Sequence, residues 1–381
     1  MLTDDQVAVV RSNFPVLKEK TYLYSCSQGA LSGSVEAGFD DYIASWRTST
    51  APWDLWMGAY ESLRVSFAKF INAEPDEIAI INSASGGINP IASALRFDAR
   101  DSVVMSEYEF PTMGQIWLAQ QPRGARVQFL DGVDNAVPLE AYARAIDERT
   151  HIVPLTQLSF LNGSRSDVPA ITKIAHDNGA LVFIDGYQDC GTRPIDVKAL
   201  DVDFFVTGTL KYLLGPPGLG FLYVKRALID SLVPTMSSWF AQRDIFAFDT
   251  KHLDLAPSAR RFENGAPNIP SIYGAAPALD LLTRVGMENV AAQIERLARA
   301  FLDGARALGI ATKTPASSVG PLVVLRASDP AAALAHLTER GIVVSTRMDG
   351  VRFAFHVYND MADVHAALSA LEDMQGLMVP A

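Results

Sequence analysis

Cysteine and histidine are scarce in this sequence. Its 381 residues include two cysteines and six histidines. Cys26 and Cys190 are too few to form a disulfide framework, which excludes a disulfide-stabilised scaffold and makes the cytoplasm the expected compartment. The histidines are scattered without the paired spacing of metal ligands, so no metal site is predicted.

Positive charge and long apolar runs are also lacking. The formal net charge is −11, and no run rich in lysine or arginine interrupts the acidic composition. This balance argues against nucleic acid or an anionic membrane as a partner. No apolar stretch approaches the length that crosses a bilayer, and the first residues lack the basic flank and apolar core of a signal peptide.

Apolar residues, in contrast, make up 49% of the sequence and recur in short runs with helical patterns between them. Most of the runs are continuous rather than alternating, as expected for strands that are covered on both faces. The pattern predicts a mostly parallel α/β sheet whose ligand lies outside the carboxyl ends of the strands. The seven predicted strands are residues 78–82, 102–106, 126–130, 152–158, 181–185, 203–207 and 220–224.

The character of the sequence changes after residue 268. One long helical stretch, residues 271–308, leads to a compact tail with strand-like runs at 320–325 and 351–355 and a helix at 362–374. This pattern predicts a large domain of residues 16–286 and a smaller C-terminal α/β domain of residues 287–381. Residues 1–15 are expected to pack on the smaller domain.

A single lysine, Lys211, stands in an apolar, glycine-rich segment of residues 203–224. Burying an ammonium group is costly unless it is paired or neutralised, and a desolvated lysine is suited to Schiff-base chemistry. Asp185 ends another buried strand. A lysine and an acid at the ends of neighbouring parallel strands are what pyridoxal phosphate needs, because the lysine binds its aldehyde and the acid keeps its ring nitrogen protonated. Taken alone, Lys211 is better interpreted as a surface residue after a core strand, and it is the combination with the other features that favours the cofactor.

Two further segments follow predicted strands. Residues 81–92 close a strand and open a helix with a small polar residue and two glycines, Ser85, Gly86 and Gly87. Such a turn either binds a phosphate at the helix N-terminus or is an ordinary helix cap. Phe110 follows the next strand, where it could cover a planar cofactor or could be a core side chain.

Five motifs in order over almost the whole chain resemble the class V aminotransferases, a family of fold-type-I pyridoxal phosphate enzymes that includes cysteine desulfurases, isopenicillin N epimerases and kynureninases. The motifs are residues 22–25, 83–89, 185–188, 261–268 and 351–359. The resemblance implies the fold-type-I architecture, with a seven-stranded sheet, and a homodimer. It says little about which reaction is catalysed.

The resemblance also implies roles for single residues. Lys211 would form the aldimine with the cofactor and move the α-proton of the substrate. The other cofactor-binding residues would be Asp185 at the ring nitrogen, Gln188 at the ring phenolate, Phe110 stacked on the ring, Ser85 and Gly86 at the phosphate, and a hydroxyl of Thr207 or Thr209.

Arg352 would bind the α-carboxylate of the substrate, for which a forked guanidinium is well shaped. Ser25 would lie beside the substrate, and Asn162 would either replace an asparagine that relatives carry at the position of Phe160 or only shape a turn. A surface ion pair is the alternative for Arg352.

Three departures from the family pattern limit these expectations. The segment Thr207-Gly208-Thr209-Leu210-Lys211 is one residue longer than in many relatives and lacks a histidine, and Ala266 replaces a threonine that often reaches a neighbouring subunit. Residues 343–351, where desulfurases carry their sulfur-accepting cysteine, contain no thiol. Desulfurase activity by that route is therefore not expected, and Cys26 is interpreted as a small buried side chain rather than as a catalytic thiol.

These features predict an enzyme that acts at the α-carbon of an amino acid, with aminotransferase chemistry favoured. The alternatives are a β-lyase resembling a C–S lyase, an epimerase, or a binding protein that keeps the fold without catalysis. Trp46, Trp53 and Trp56 either cap the pocket or contribute to a dimer interface, and the interface is favoured.

Overall fold

A computed structural model describes residues 2–381 of the protein. The twelve helices are α1 Asp4–Ser12, α2 Gly33–Thr48, α3 Trp53–Phe70, α4 Ala84–Ala94, α5 Pro111–Leu118, α6 Leu139–Ala145, α7 Val168–Asp177, α8 Arg226–Ile229, α9 Ile269–Val285, α10 Met287–Ala307, α11 Pro330–Glu339 and α12 Met361–Glu372. The strands are β1 Thr21–Tyr22, β2 Ile78–Ile81, β3 Ser102–Ser106, β4 Arg126–Leu130, β5 Thr150–Thr156, β6 Leu181–Asp185, β7 Phe204–Gly208, β8 Gly220–Val224, β9 Leu322–Arg326, β10 Ile342–Val343, β11 Ser345–Arg347 and β12 Gly350–Ala354.

A seven-stranded sheet with the order β2-β8-β7-β6-β5-β3-β4 forms the centre of the large domain. The five strands from β7 to β4 are parallel, and β8 runs antiparallel to both of its neighbours. The sequence-based prediction of a mostly parallel seven-stranded sheet is confirmed. The reversal of β8 follows from its connection: eleven residues separate β7 from β8, too few for the helical crossover that parallel neighbours need.

A smaller sheet of three antiparallel strands, in the order β11-β12-β9, lies in the C-terminal part of the chain. One face of it packs with α10, α11 and α12 around a second hydrophobic core that includes Val323, Phe353 and Phe301. The N-terminal helix α1 contacts this region through Arg11, whose Nη1 donates to Asp363 Oδ2 over 2.7 Å, whereas Val10 of α1 packs in the core of the large sheet. The domain boundaries remain a prediction.

The long helix predicted for residues 271–308 is wrong as a single element. It is two helices, α9 and α10, which meet at Gly286, where φ is +85°. A positive φ is accessible to glycine at little cost and ends a helix. The apolar periodicity continues on both sides of Gly286, which is why the pattern alone did not mark the break. None of the helices in residues 2–381 combines the length and apolar character needed to cross a bilayer.

Candidate active site

The loop between β7 and β8 carries Lys211 at the carboxyl edge of the large sheet. Backbone hydrogen bonds hold the loop: within it Gly215 N donates to Thr209 O over 2.9 Å, and from outside it Gly29 N donates to Leu210 O over 2.8 Å. Lys211 faces a cavity of about 240 Å³. The side chains that line the cavity come from five segments at the ends of strands β2, β3, β5, β6 and β7: Ser83, Ala84, Ser85, Phe110, Thr112, Thr156, Phe160, Asp185, Tyr187, Gln188 and Lys211.

The amine of Lys211 is desolvated and has no ion-pair partner. Nζ lies 4.5 Å from the ring centroid of Tyr187 and 5.4 Å from that of Phe110, and no carboxylate of the described residues is within 4.0 Å of it. Burial lowers the pKa of Lys211 to about 8; the negative charge of Asp185 opposes this shift, and the positive charges of Arg352 and Arg347 add to it. A neutral amine is therefore accessible near neutral pH.

Asp185 is the last residue of β6, directly opposite Thr156 at the end of β5. One of its oxygens, Oδ1, accepts the backbone N–H of Tyr187 over 2.9 Å. Burial raises the pKa of Asp185, whereas this hydrogen bond and the positive charge of Lys211 favour the carboxylate. The other oxygen is left for a partner inside the cavity.

The turn between β2 and α4 brings backbone N–H groups to the same cavity. Ser83 caps α4, and its hydroxyl accepts the N–H of Gly86 over 3.1 Å. The N–H groups of Ala84 and Ser85 belong to the first turn, where a helix offers no acceptor. Together with the positive end of the helix dipole they suit an anion.

Aromatic side chains form the walls of the cavity. Phe110 is 40% exposed, so it is not a core side chain, and its ring meets that of Phe160 edge-on with a centroid distance of 5.0 Å. Gln188 is buried and donates its Nε2 to Cys26 O over 2.9 Å, whereas its Oε1 has no partner among the described residues. An orphaned buried acceptor is costly, and this one belongs to a residue that lines the cavity.

Arg352 is a buried cation without an anion. It is 1% exposed, and its guanidinium donates to Ser345 Oγ over 3.0 Å, to Phe160 O over 3.0 Å and to Ser27 Oγ over 2.8 Å. No carboxylate of residues 2–381 lies within 4.0 Å of it, so the surface ion pair considered for Arg352 is wrong. Burying an unpaired charge is expensive, and an anionic ligand would compensate it.

Six of the predicted site residues do not line the cavity. Arg352 makes the contacts given above, and the N–H of Gly86 donates to the hydroxyl of Ser83. The other four are Ser25, Thr209, Asn162 and Thr207. Ser25 is hydrogen-bonded to the hydroxyl of Tyr358, and Thr209 donates to the carbonyls of Pro216 and Leu219. Asn162 shapes its turn, since its Nδ2 donates to the carbonyl of Asn135 over 2.7 Å and its Oδ1 accepts the N–H of Ser164 over 3.0 Å.

Thr207 is excluded by strand alternation. Its neighbour Val206 faces Gly87 of α4, so Thr207 points to the opposite face of the sheet, away from the phosphate turn. There it is fully buried.

Several residues of the site were missed from the sequence. Thr112, Thr156, Phe160 and Tyr187 line the cavity, and Ser27 binds Arg352. Tyr187 lies inside the motif of residues 185–188, and Ser27 lies two residues after the motif of residues 22–25. Thr112 and Phe160 each lie two residues from a candidate residue, and Thr156 is part of a predicted strand. The tryptophans are elsewhere: Trp53 lines a separate groove with Trp239 and Phe246 rather than the Lys211 cavity.

A buried acid, Glu109, directly precedes Phe110 of the cavity wall. Its Oε1 accepts the hydroxyl of Ser106 over 2.8 Å, and its Oε2 has no partner among the described residues. Burial raises the pKa of Glu109 to about 8, and the negative charge of Asp185 contributes to the rise. The raised pKa favours the neutral form of Glu109 near pH 7.

Replacing Glu109 with glutamine should change how stability depends on pH. A folded-state pKa of about 8, against 4.5 for the free side chain, means that the folded chain holds the proton longer. The Glu109 contribution to the free energy of unfolding is therefore greatest below pH 4.5 and is lost as the pH rises to about 8. The stability of wild type relative to Glu109→Gln should fall by roughly 3 kcal/mol between about pH 5 and pH 8. Urea denaturation of both proteins across this range measures it, and a constant difference would contradict a protonated Glu109.

The amino-acid sequence is similar to those of pyridoxal phosphate enzymes, as the geometry of the cavity suggests. The family model for aminotransferase class V matches residues 44–368. The chain is 33% identical over 362 residues to the uncharacterized aminotransferase YcbU of Bacillus subtilis, with 95% of this chain and 96% of that protein covered. It is 32% identical over 301 residues to a probable cysteine desulfurase of Methanothermobacter thermautotrophicus, with 76% and 72% covered.

A solved structure shares the fold. The apo cysteine desulfurase of Thermococcus onnurineus NA1 superposes with a TM-score of 0.90 at 24% identity, over 99% of both chains. The match of the family model over most of the chain, and the relative that is 33% identical, confirm the family predicted from the motifs. The chain belongs to the aminotransferase class-V family of pyridoxal phosphate enzymes, which act at the α-carbon of amino acids.

Proposed function

We propose that this enzyme is an aminotransferase that uses Lys211 as its catalytic residue and Arg352 to bind the α-carboxylate of its substrate. The observation that carries the proposal is the pairing of two desolvated cations that lack carboxylate partners: an amine at the cavity and a buried guanidinium close enough to lower its pKa. The first suits covalent and proton-transfer chemistry, and the second suits a planar anion.

The described residues fit pyridoxal phosphate. Lys211 would hold its aldehyde, Asp185 its ring nitrogen, and Gln188 Oε1, which lacks a partner, a polar substituent of the ring. The N–H groups at the start of α4, together with the hydroxyls of Ser83, Ser85 and Thr112, would hold the phosphate. Once bound, the cofactor supplies a protonated ring that accepts the electrons left at the α-carbon when a proton is lost.

The protein supplies position and proton transfer. Arg352 would fix the substrate carboxylate with a two-pronged contact, which orients the α-hydrogen toward Lys211. Lys211 Nζ, whose burial lowers its pKa to about 8, would accept the α-proton and would donate a proton to the carbon that the cofactor's aldehyde supplies. Phe110 and Tyr187 would exclude water from the space around this amine.

A β-lyase is the second candidate. It is supported by the cysteine desulfurases among the relatives. The hairpin of residues 343–351, however, carries no thiol, and Cys26 is 1% exposed with its Sγ 3.6 Å from Ser345 Oγ. Neither position supports transfer of sulfur to the protein, so a lyase here would release its product into solution.

A homodimer in the cytoplasm is the expected form. Large aromatic side chains are exposed along one groove of about 720 Å³, including Trp53, Trp239, Phe246 and Phe248. A contiguous aromatic surface of this kind favours a protein interface. Cys26 and Cys190 are both buried and free of a disulfide, as suits a reducing compartment.

The test is to incubate the purified holoenzyme with single amino acids in the absence of an acceptor. Aminotransferase chemistry predicts that the visible absorbance of the bound cofactor shifts to that of its aminated form, and that adding a 2-oxo acid reverses the shift. Release of pyruvate with ammonia or sulfide would indicate a lyase instead. A cofactor-loaded enzyme that responds to no α-amino acid would overturn the proposal.

A further inference from the structure

A second arginine, Arg347, lies on the same face of the small sheet as Arg352. In the hairpin of β11 and β12, Ser345 is opposite Arg352 and Arg347 is opposite Gly350. Opposed residues of an antiparallel pair point to the same face, and so do residues two apart on one strand. The hydrogen bond from Arg352 Nε to Ser345 Oγ agrees with this assignment. Arg347 is therefore on the face of Arg352, about 6.5–7 Å further along the hairpin.

Arg347 differs from Arg352 in being at the surface. Its side chain is exposed, and its one side-chain hydrogen bond in the described residues is from Nη1 to the carbonyl of Thr346, over 2.7 Å. The neighbouring arginine of the small sheet, Arg326, is by contrast paired with Asp349 over 3.1 Å. The guanidinium of Arg347 is thus an available donor.

The charge of this guanidinium also acts on the catalytic amine. The charge of Arg347 acts on Lys211 in the same direction as that of Arg352, so both are within electrostatic reach of Nζ. The face consequently runs from a buried guanidinium beside Phe160 to an exposed one at the hairpin end. In a chain of net charge −11, this concentrates positive charge at one place, and such a place attracts anions.

We propose that the substrate is an amino acid whose side chain ends in a carboxylate, with its α-carboxylate on Arg352 and its distal carboxylate on Arg347. The inference rests on the proposed function. The backbone positions of the two arginines are about 6.5–7 Å apart along the hairpin, which is of the order of the length of a short dicarboxylic amino acid. The burial of Arg352 and the exposure of Arg347 suit a distal group that stays near solvent.

The test compares acids with their amides, which have nearly the same shape. The holoenzyme should use L-aspartate or L-glutamate with a kcat/KM about 10-fold or more above that of L-asparagine or L-glutamine, since a charge-assisted hydrogen bond is lost with the amides. Arg347→Gln should remove most of this preference, mainly through KM for the acids, and should leave the amides little changed. Arg326→Gln, on the neighbouring strand, is the matched control and should keep the preference.

The dependence of KM on salt concentration is a second measurement, and a purely structural role of Arg347 would not change it. The wild-type KM for the acids should rise with sodium chloride more steeply than that of Arg347→Gln, because an exposed charge pair is screened. A wild type that uses neutral amino acids and rejects both acids, or an Arg347→Gln enzyme that loses the same factor for acids and amides, would overturn this inference and leave the proposed function standing. Inactivity toward every amino acid would overturn the proposed function itself, and this inference with it.

Discussion

Lys211→Ala is expected to lower kcat by about 10⁴-fold or more, because the variant loses both the group that binds the cofactor aldehyde and the base at the α-carbon. The cavity is otherwise retained, since Lys211 makes no ion pair in the described residues and the loop around it is held by backbone hydrogen bonds of Gly215 and Gly29. The variant should therefore fold and still bind pyridoxal phosphate through Asp185 and the start of α4, but without the covalent link. Steady-state kinetics and the visible spectrum measure the two effects.

The variant Lys211→Arg tests whether the positive charge of Lys211 is sufficient or whether its amine is needed for the reaction. An arginine keeps the positive charge near Asp185 but carries no amine that loses its proton at working pH. It should be as inactive as the alanine variant. Borohydride treatment of wild type, followed by peptide mapping, should find the cofactor fixed to the peptide that contains Lys211. Fixation to another lysine, or appreciable activity in Lys211→Arg, would contradict the assignment.

The features of the site that the sequence could reveal are those that a single segment determines. Asp185 ends a continuous apolar strand, and Lys211 interrupts an apolar segment, so both stand out in the local pattern. Their proximity follows from the parallel pairing of β6 with β7, which the alternation of strands and helices predicts. The phosphate turn was predicted for the same reason, since a small polar residue and two glycines mark a helix start.

The features that could not be predicted depend on strand register, which decides the sheet face of a side chain, and on contacts with residues that are distant in sequence. Whether the hydroxyl of Thr207 or that of Thr209 faces the cavity depends on a single residue of register, and neither does, because Thr207 is on the far face and Thr209 binds backbone carbonyls. Asn162 is occupied by Asn135, which is distant in sequence. The face shared by Arg347 and Arg352 could not be anticipated either, because β11 is three residues long and carries no hydrophobic pattern.

The burial of Arg352 links the small sheet to the chemistry of the large domain. Arg352 belongs to β12, yet it donates to Phe160 and Ser27 of the large domain. Any relative movement of these segments would change the position of the guanidinium, and an anion bound to it would hold them together. Substrate binding should therefore stabilise the protein through the same residue that orients the reaction.

Arg352→Gln should lower kcat/KM for the preferred amino acid by about 100-fold or more, because a buried charge-assisted contact to the carboxylate is replaced by a neutral one. Cofactor binding should be unchanged, since Arg352 does not line the Lys211 cavity. Arg352→Lys is the matched control: it keeps the positive charge without the two-pronged guanidinium and should recover only part of the loss.

A simple amine that lacks a carboxylate provides the decisive comparison. It should react poorly with wild type and equally poorly with Arg352→Gln, because the contact that the substitution removes was never made. If Arg352→Gln slowed the amine as much as the amino acid, Arg352 would act on the geometry of the site and not on the carboxylate.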